Sequence, residues 1–216
     1  MNSSPRKTDW DHYYAHPFPT ARILRAITGR HLVRALKKCT GDAMHLQNII
    51  EFGGGGSCFA KRLCRAFACE SYIVYDSNEK ALSLFADMDL PCARQACLQN
   101  ILEDIREPHT ADLVFSAGLV EHFTEEDTAR AVARHFQLLR QGGLAAFLYP
   151  ADTGLYRAVR GLAESLHLWH FPDERALPPD EVPRTASAYG TCLHRECIRS
   201  ILLTQELLIF RKDRES

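Results

Sequence analysis

A run of glycines follows an apolar stretch and has an acidic residue beside it. Residues 49–57 read Ile-Ile-Glu-Phe-Gly-Gly-Gly-Gly-Ser, which places Glu51 two positions before Gly53. Glycine permits a sharp turn and lets a ligand approach the main chain, because no Cβ stands in the way. The pattern predicts a ligand-binding turn between a strand and a helix.

A second acidic residue ends the next apolar stretch. Asp76 follows Tyr75 and lies 25 residues after Glu51. An acid at the end of the second strand of a doubly wound sheet can accept hydrogen bonds from both hydroxyls of a ribose. The glycine turn and Asp76 together predict a site for a nucleotide-like ligand.

A third polar position, Glu121-His122, follows a later apolar stretch. His122 is the candidate general base, since an imidazole can take a proton near neutral pH. A structural role, in which His122 holds the loop or packs against the ligand, fits the sequence equally. Glu121 is expected to order the loop rather than to react.

The elements around these residues alternate between strands and helices. Such alternation predicts an α/β fold with a parallel sheet and right-handed crossovers. A helix is expected over residues 20–38 and an irregular lid over 169–187, where four prolines fall. Strands are predicted over 47–52, 71–75, 92–98, 112–116 and 144–149, helices over 57–67, 78–88, 125–139 and 154–168, and a closing strand pair over 189–194 and 205–211.

These motifs resemble those of the class I S-adenosylmethionine-dependent methyltransferases, small-molecule branch. The family pattern is acid-x-Gly-x-Gly-x-Gly; Glu51, Gly53 and Gly55 match it and Ser57 replaces the third glycine. The stretch from Ser116 to Phe123, with its Glu-His pair, and the Gly142-Gly143 turn also fit that branch. The resemblance covers residues 45–150 well and the remainder loosely.

The resemblance implies a Rossmann-like mixed seven-stranded sheet, in the order 3-2-1-4-5-7-6, with helices on both faces. It implies S-adenosyl-L-methionine as cofactor, with the methionine part against Gly53 and Gly55, the ribose on Asp76 and the adenine amino group on an Asn100 oxygen. The cofactor-binding residues expected from it are Glu51, Phe52, Gly53, Gly55, Asp76, Asn100 and Ser116.

One methyltransferase domain is expected over residues 1–216. Its parts are an N-terminal helical cap (1–40), a cofactor-binding core (45–150), a substrate lid (151–187) and a C-terminal strand pair (188–212). Residues 1–40 carry eight Lys/Arg against two Asp, which could attract an anionic acceptor or could simply be a solvated helix face. Arg157 and Arg160 also suggest an anionic acceptor.

Other classes fit less well. A nicotinamide-dependent oxidoreductase would need a small residue where Cys58 stands, and would give Glu121-His122 no role. His167 and His170, one helical turn apart, could join a metal site, but no metal is expected. An acidic balance beyond residue 40 disfavours nucleic acid. A non-catalytic scaffold of the same fold remains an alternative.

Composition and cysteine spacing complete the prediction. No apolar run approaches the roughly 18 residues of a membrane span, and the first residues do not read as a signal peptide, so a cytoplasmic protein is expected. The eight cysteines form no Cys-x-x-Cys pair and are expected to be free thiols. The expected reaction is O-methylation of a small or carrier-borne molecule from sugar, lipid or secondary metabolism; N- and C-methylation are the alternatives.

Overall fold

Seven strands form one sheet in the computed structural model, which describes residues 7–16, 19–41, 45–105, 110–201 and 203–213. The order is β3-β2-β1-β4-β5-β7-β6, which confirms the predicted order. The strands are β1 (Asn48–Phe52), β2 (Ser71–Asp76), β3 (Ala93–Leu98), β4 (Ala111–Ala117), β5 (Leu139–Pro150), β6 (Gly190–Ile198) and β7 (Gln205–Lys212).

The central strands run parallel, and only the β7 and β6 pairings are antiparallel. In β1, Phe52 pairs with Tyr75 of β2 and with Ser116 of β4. The carboxyl ends of β1, β2 and β4 therefore lie side by side. In a doubly wound sheet, this edge is where ligands bind.

Alternate residues of each central strand pack into two separate cores, one on each face of the sheet. Ile49 packs with Leu36 and Leu63 on one face, and Ile50 packs with Val132 on the other. Helices cover both faces, as predicted. They are α1 (Trp10–Ala15), α2 (Pro19–Thr40), α3 (Ala60–Phe67), α4 (Glu79–Ala86), α5 (Glu125–Leu138), α6 (Gly154–Ser165) and α7 (Glu181–Ala186), with a 3₁₀ turn at Val120–His122.

Several predicted boundaries were wrong for local reasons. Helix α3 begins at Ala60 rather than residue 57, because the Ser57 hydroxyl accepts the backbone N–H of Ala60 from outside the helix. Strand β5 begins at Leu139, before the predicted glycine turn, and shifts register where Gly142 has φ +75°. Helix α7 lies in the stretch predicted as an irregular lid, and helix α1 lies in the predicted N-terminal cap, ahead of the helix expected over 20–38. Both have six residues, too few to establish a helical period.

Helix α6 also ends earlier than predicted, at Ser165. His167 follows it with φ +56°, in the left-handed region, and the chain around His170 is not helical. The two histidines therefore do not share a helical face. Within the described residues, no helix is long and apolar enough to cross a membrane.

Three of the cysteines meet at the amino edge of the sheet, which the spacing argument did not foresee. Cys64 lies on α3, Cys69 precedes β2 and Cys92 precedes β3. Ala68 ends α3 with φ 49° and ψ 46°, so the chain leaves the helix in a left-handed turn. That turn, which a helix or a strand would not contain, allows Cys69 to return to Cys64.

Candidate functional site

A cavity of about 330 Å³ opens at the carboxyl edge of the sheet. Its lining comes from the ends of β1, β2, β3 and β4, from α1 and α2, and from the segment around residues 169–174. Glu51, Gly53, Asp76, Asn100 and His122, all predicted site residues, line it. The volume is within the usual range for a small-molecule site.

The glycine turn needs glycine at two positions. Gly53 has φ +66° and Gly55 has φ +30°, conformations that are costly for other residues. A Cβ on Gly55 would lie 2.4 Å from the Tyr14 hydroxyl oxygen, and one on Gly53 would lie 2.8 Å from Leu119. The turn is thus a narrow backbone cradle, closed from above by α1.

Asp76 ties this turn to the end of β2. One carboxylate oxygen accepts the Gly55 N–H at 2.9 Å and the other accepts the Asn78 N–H at 2.9 Å. Burial raises the pKa of Asp76, and the backbone hydrogen bonds oppose that rise. Each oxygen keeps a lone pair for a ligand hydroxyl, since a carboxylate has about four acceptor sites.

Glu51 holds the turn from behind. Its Oε2 accepts hydrogen bonds from the Tyr72 hydroxyl at 2.6 Å and from the Ser57 hydroxyl. Burial raises the pKa of Glu51 to about 7, although both hydroxyls lower it. Ser57, which replaces the third glycine of the family pattern, therefore binds the motif's acid. Sequence reasoning treated Ser57 only as a tolerated departure.

Three of the predicted cofactor-binding residues are not placed as the family resemblance implies. Asn100 lines the cavity, but its side-chain oxygen already accepts the Leu102 N–H at 3.0 Å. Phe52 and Ser116 are buried and do not belong to the cavity lining. Ser116 instead shares a 3.0 Å hydrogen bond with His135 Nε2, on the core side of β4.

His122 forms a dyad with an acid that the sequence did not single out. Its Nδ1 lies 3.1 Å from Asp173 Oδ1, and Asp173 also accepts the Thr8 hydroxyl. Burial lowers the pKa of His122, and Asp173 opposes that shift. Asp173 comes from the predicted lid, 51 residues away, where no periodic pattern could have indicated it.

Two further carboxylates lie beside His122. Ligand atoms of Glu121, His122 and Glu174 all fall within 4.8 Å of one another. Glu174 accepts the Tyr156 hydroxyl. Glu121 is 2% exposed, and its Oε2 has no hydrogen-bond partner among the described residues. Burial, with the charge of Glu174, raises the pKa of Glu121 well above its ordinary value, while N–H groups of the 3₁₀ turn lower it.

Aromatic side chains cover the mouth of the cavity. Trp10 packs edge-on against His122 at 5.0 Å between centroids, and Phe171 contacts both Trp10 and Tyr13. Arg25 of α2 donates to the Tyr13 hydroxyl. Residues of the predicted N-terminal cap and lid thus contact each other beside His122 in the cavity lining.

The arginines expected to attract an anion are engaged elsewhere. Arg160 bonds to Glu164 at 2.8 Å, lies 3.9 Å from Glu174 and stacks on Trp169. The exposed Arg157 lies 3.5 Å from Asp152. Neither lines the cavity, where the described lining residues include several carboxylates and, of the Lys and Arg side chains, only Arg25. The arrangement gives no support to an anionic acceptor.

Comparison with known proteins gives one family match. Residues 49–143 match the family model described as a methyltransferase domain, which confirms the resemblance drawn from the glycine turn and Asp76. No curated protein matches the chain.

Solved structures share the fold at low identity. A magnesium protoporphyrin IX methyltransferase from Synechocystis, with bound S-adenosylhomocysteine, has TM-score 0.71 and 12% identity over 94% of this chain and 93% of that one. The N-methyltransferase NodS from Bradyrhizobium japonicum, also with S-adenosylhomocysteine, has TM-score 0.64 and 15% identity over 86% and 87%. Human N-acetylserotonin methyltransferase, with S-adenosylmethionine, has TM-score 0.66 and 14% identity over 90% and 54%.

Proposed function

We propose that this protein binds S-adenosyl-L-methionine and methylates a hydroxyl group of a small molecule; the match of residues 49–143 to the methyltransferase-domain model supports the proposal. The cavity supports a small acceptor, since its volume of about 330 Å³ must hold both the cofactor and the acceptor group. When bound, the cofactor supplies a methyl group that its sulfonium already activates. The protein therefore has to position the acceptor, exclude water and move one proton.

The residues present fit that cofactor. The Gly53–Gly55 turn would hold its amino acid portion, because Gly53 and Gly54 line the cavity and carry no Cβ that would keep a ligand from the main chain, whereas Gly55 itself is not in the lining. Asp76 would hold the ribose hydroxyls, since its carboxylate lines the cavity with acceptor capacity left over. Asn100, at the end of β3, would lie toward the adenine. Glu51 would act through the turn that it anchors.

The Asp173–His122 dyad carries the proposal of hydroxyl methylation. A carboxylate can only accept at this distance, so His122 Nδ1 carries the proton and Nε2 keeps its lone pair. Burial lowers the pKa of His122, so the ring is neutral at pH 7 and able to take a proton. Asp173 stabilises the imidazolium that results, as the orienting acid does in other acid–histidine pairs.

Substitution of His122 tests the base. His122→Ala should lower kcat by about 10²–10⁴ and leave S-adenosylhomocysteine affinity nearly unchanged. The wild-type rate should fall only below about pH 6.5, because burial shifts the histidine pKa downward from that value. The matched control is His170→Ala, a surface histidine outside the cavity lining, which should keep full activity.

Two results would overturn this role. Loss of cofactor binding or of folding in His122→Ala would make the histidine a structural anchor of the loop. Full activity would mean that positioning alone suffices, as for an acceptor that needs no base.

An amine acceptor is the second candidate, and the Glu121–Glu174 pair favours it. These buried carboxylates beside His122 could bind an ammonium group and take the proton that its nitrogen must lose before it can attack the methyl group. One structural neighbour, NodS, is an N-methyltransferase. Acceptors that differ only in a hydroxyl or an amine separate the two candidates. If the amine is methylated faster and Glu174→Gln removes that preference, N-methylation replaces the first proposal.

A further inference from the structure

The three thiols at the amino edge of the sheet lie far from the proposed chemistry. Cys69 and Cys92 flank Ser71↔Ala93, the first register pair of β2 and β3, whereas the cavity opens at the other ends of these strands. Cys64 reaches the same place from α3, which runs back toward the strand beginnings. No step of methyl transfer uses these side chains.

The sulfur atoms are close to one another. Cys64 Sγ and Cys92 Sγ lie 3.4 Å apart, and Cys69 Sγ and Cys92 Sγ lie 3.6 Å apart. All three atoms fall within 4.8 Å. Cys64 is 1% and Cys69 5% exposed, while Cys92 is half-buried. The sulfur cluster is thus shielded from solvent at Cys64 and Cys69 and partly accessible at Cys92.

These distances suit a shared metal ion. A zinc–sulfur bond is about 2.3 Å long, so two sulfurs on one tetrahedral ion lie about 3.8 Å apart. The Cys64–Cys92 and Cys69–Cys92 separations of 3.4 Å and 3.6 Å are within a few tenths of an ångström of that value. A disulfide would need a separation of about 2.05 Å and could join only two of the three thiols.

We propose that Cys64, Cys69 and Cys92 bind one thiophilic metal ion, Zn(II) or Cu(I). Thiolates are the soft ligands that select both ions. Within the part of the chain that the structure describes, no fourth His, Cys, Asp or Glu joins the group. Three thiolates complete a trigonal Cu(I) site, whereas Zn(II) would take a water at the open side of Cys92. Each thiol that binds the ion releases its proton to solvent.

Such an ion would tie helix α3 to the paired beginnings of β2 and β3. Helix α3 supplies Cys64, and the residues just before β2 and β3 supply Cys69 and Cys92. Binding should therefore raise the stability of the folded chain, because the unfolded chain does not hold the three sulfurs together.

Direct metal titration tests the site. The full chain, reduced and stripped by a chelator, is titrated with Zn(II) alone and, separately, with Cu(I) alone against a chromophoric competitor. We expect one ion per chain from at least one of the two metals, and a higher unfolding temperature when the ion is bound. Cys92→Ser should weaken affinity about 100-fold or more. Cys192→Ser, at an exposed cysteine of β6, is the matched control and should bind normally.

Alkylation of the wild-type chain tests the site without relying on the folding of a variant. The bound ion should protect Cys92, the solvent-accessible member of the cluster, from a maleimide reagent and leave the exposed Cys192 reactive, as read by peptide mass spectrometry. The proposal is overturned if neither metal is retained under reducing conditions. It is also overturned if the ion protects other cysteines, or if folded Cys92→Ser binds as tightly as Cys192→Ser.

Discussion

His135 offers a quantitative test of how the core of this fold is built. The ring is completely buried between Phe52 and Phe147, with centroids at 4.8 Å and 4.5 Å. Its Nδ1 donates to the Ala131 carbonyl at 2.7 Å, so Nε2 accepts from the Ser116 hydroxyl at 3.0 Å. The neutral ring is therefore satisfied, and a second proton would displace the Ser116 hydroxyl hydrogen from Nε2 and leave a buried charge with no carboxylate partner among its hydrogen bonds.

The consequence is a stability that falls with acid. Burial lowers the pKa of His135 to about 4 in the folded chain, whereas the unfolded value is about 6.5. Above pH 6.5 both states are neutral and the histidine contributes nothing to pH dependence. As the pH falls from 6.5 to 4, only the unfolded chain gains the proton, which costs the folded state about 1.4 kcal/mol per unit. The loss should reach about 2 kcal/mol at pH 5 and about 3 kcal/mol at pH 4.

Urea unfolding of the wild-type chain and of His135→Gln, each at pH 7.5 and pH 5, measures this loss of stability. The wild-type advantage over the variant should shrink by about 2 kcal/mol between the two pH values. Glu51 titrates in the same range, with a folded pKa of about 7, but is present in both proteins and cancels in the difference. The exposed His12→Gln serves as control. An unchanged difference between wild type and His135→Gln would refute the assignment of His135 as a buried neutral ring.

Two further substitutions test the glycine turn. Gly55→Ala should lower the free energy of unfolding by about 1–2 kcal/mol, because its φ of +30° is unfavourable for alanine and its Cβ would meet Tyr14. Gly154→Ala is the control and should leave stability unchanged, because nothing lies within 4 Å of its Cβ. Equal unfolding curves for the two variants would contradict the close contact at Gly55. Tyr72→Phe should cost about 1–3 kcal/mol in urea unfolding, because buried Glu51 loses a hydroxyl donor. A neutral result there would mean that water replaces the hydroxyl.

The sheet could be predicted because its information is local. Apolar strands that end near Gly53 or at Asp76, each followed by a helix, predict a parallel α/β sheet and the edge that binds ligands, whereas the strand order came from the family resemblance. The strands that fill the centre of such a sheet are buried on both faces and read as apolar runs. These signals needed only short stretches of sequence.

The site's supporting contacts depend on chain segments far apart, and the sequence did not indicate them. Asp173 meets His122 only after the lid folds back over β4, and Tyr72 meets Glu51 through strand pairing. The position of Ser116 in the motif does not specify which face of β4 it occupies, so its hydrogen bond to His135 was not foreseen. The cysteine cluster depends on one left-handed turn at Ala68, which no spacing rule contains.

Calorimetric titration with S-adenosylhomocysteine tests the central claim most directly. The wild-type chain should bind it, and Asp76→Ala should bind at least about tenfold more weakly, because a hydrogen bond to a carboxylate contributes about 1.5–3 kcal/mol. Asp87→Ala, at an exposed aspartate after α4, should bind like wild type. Binding of NAD(H) without binding of S-adenosylhomocysteine, or equal affinity in Asp76→Ala and wild type, would contradict the account.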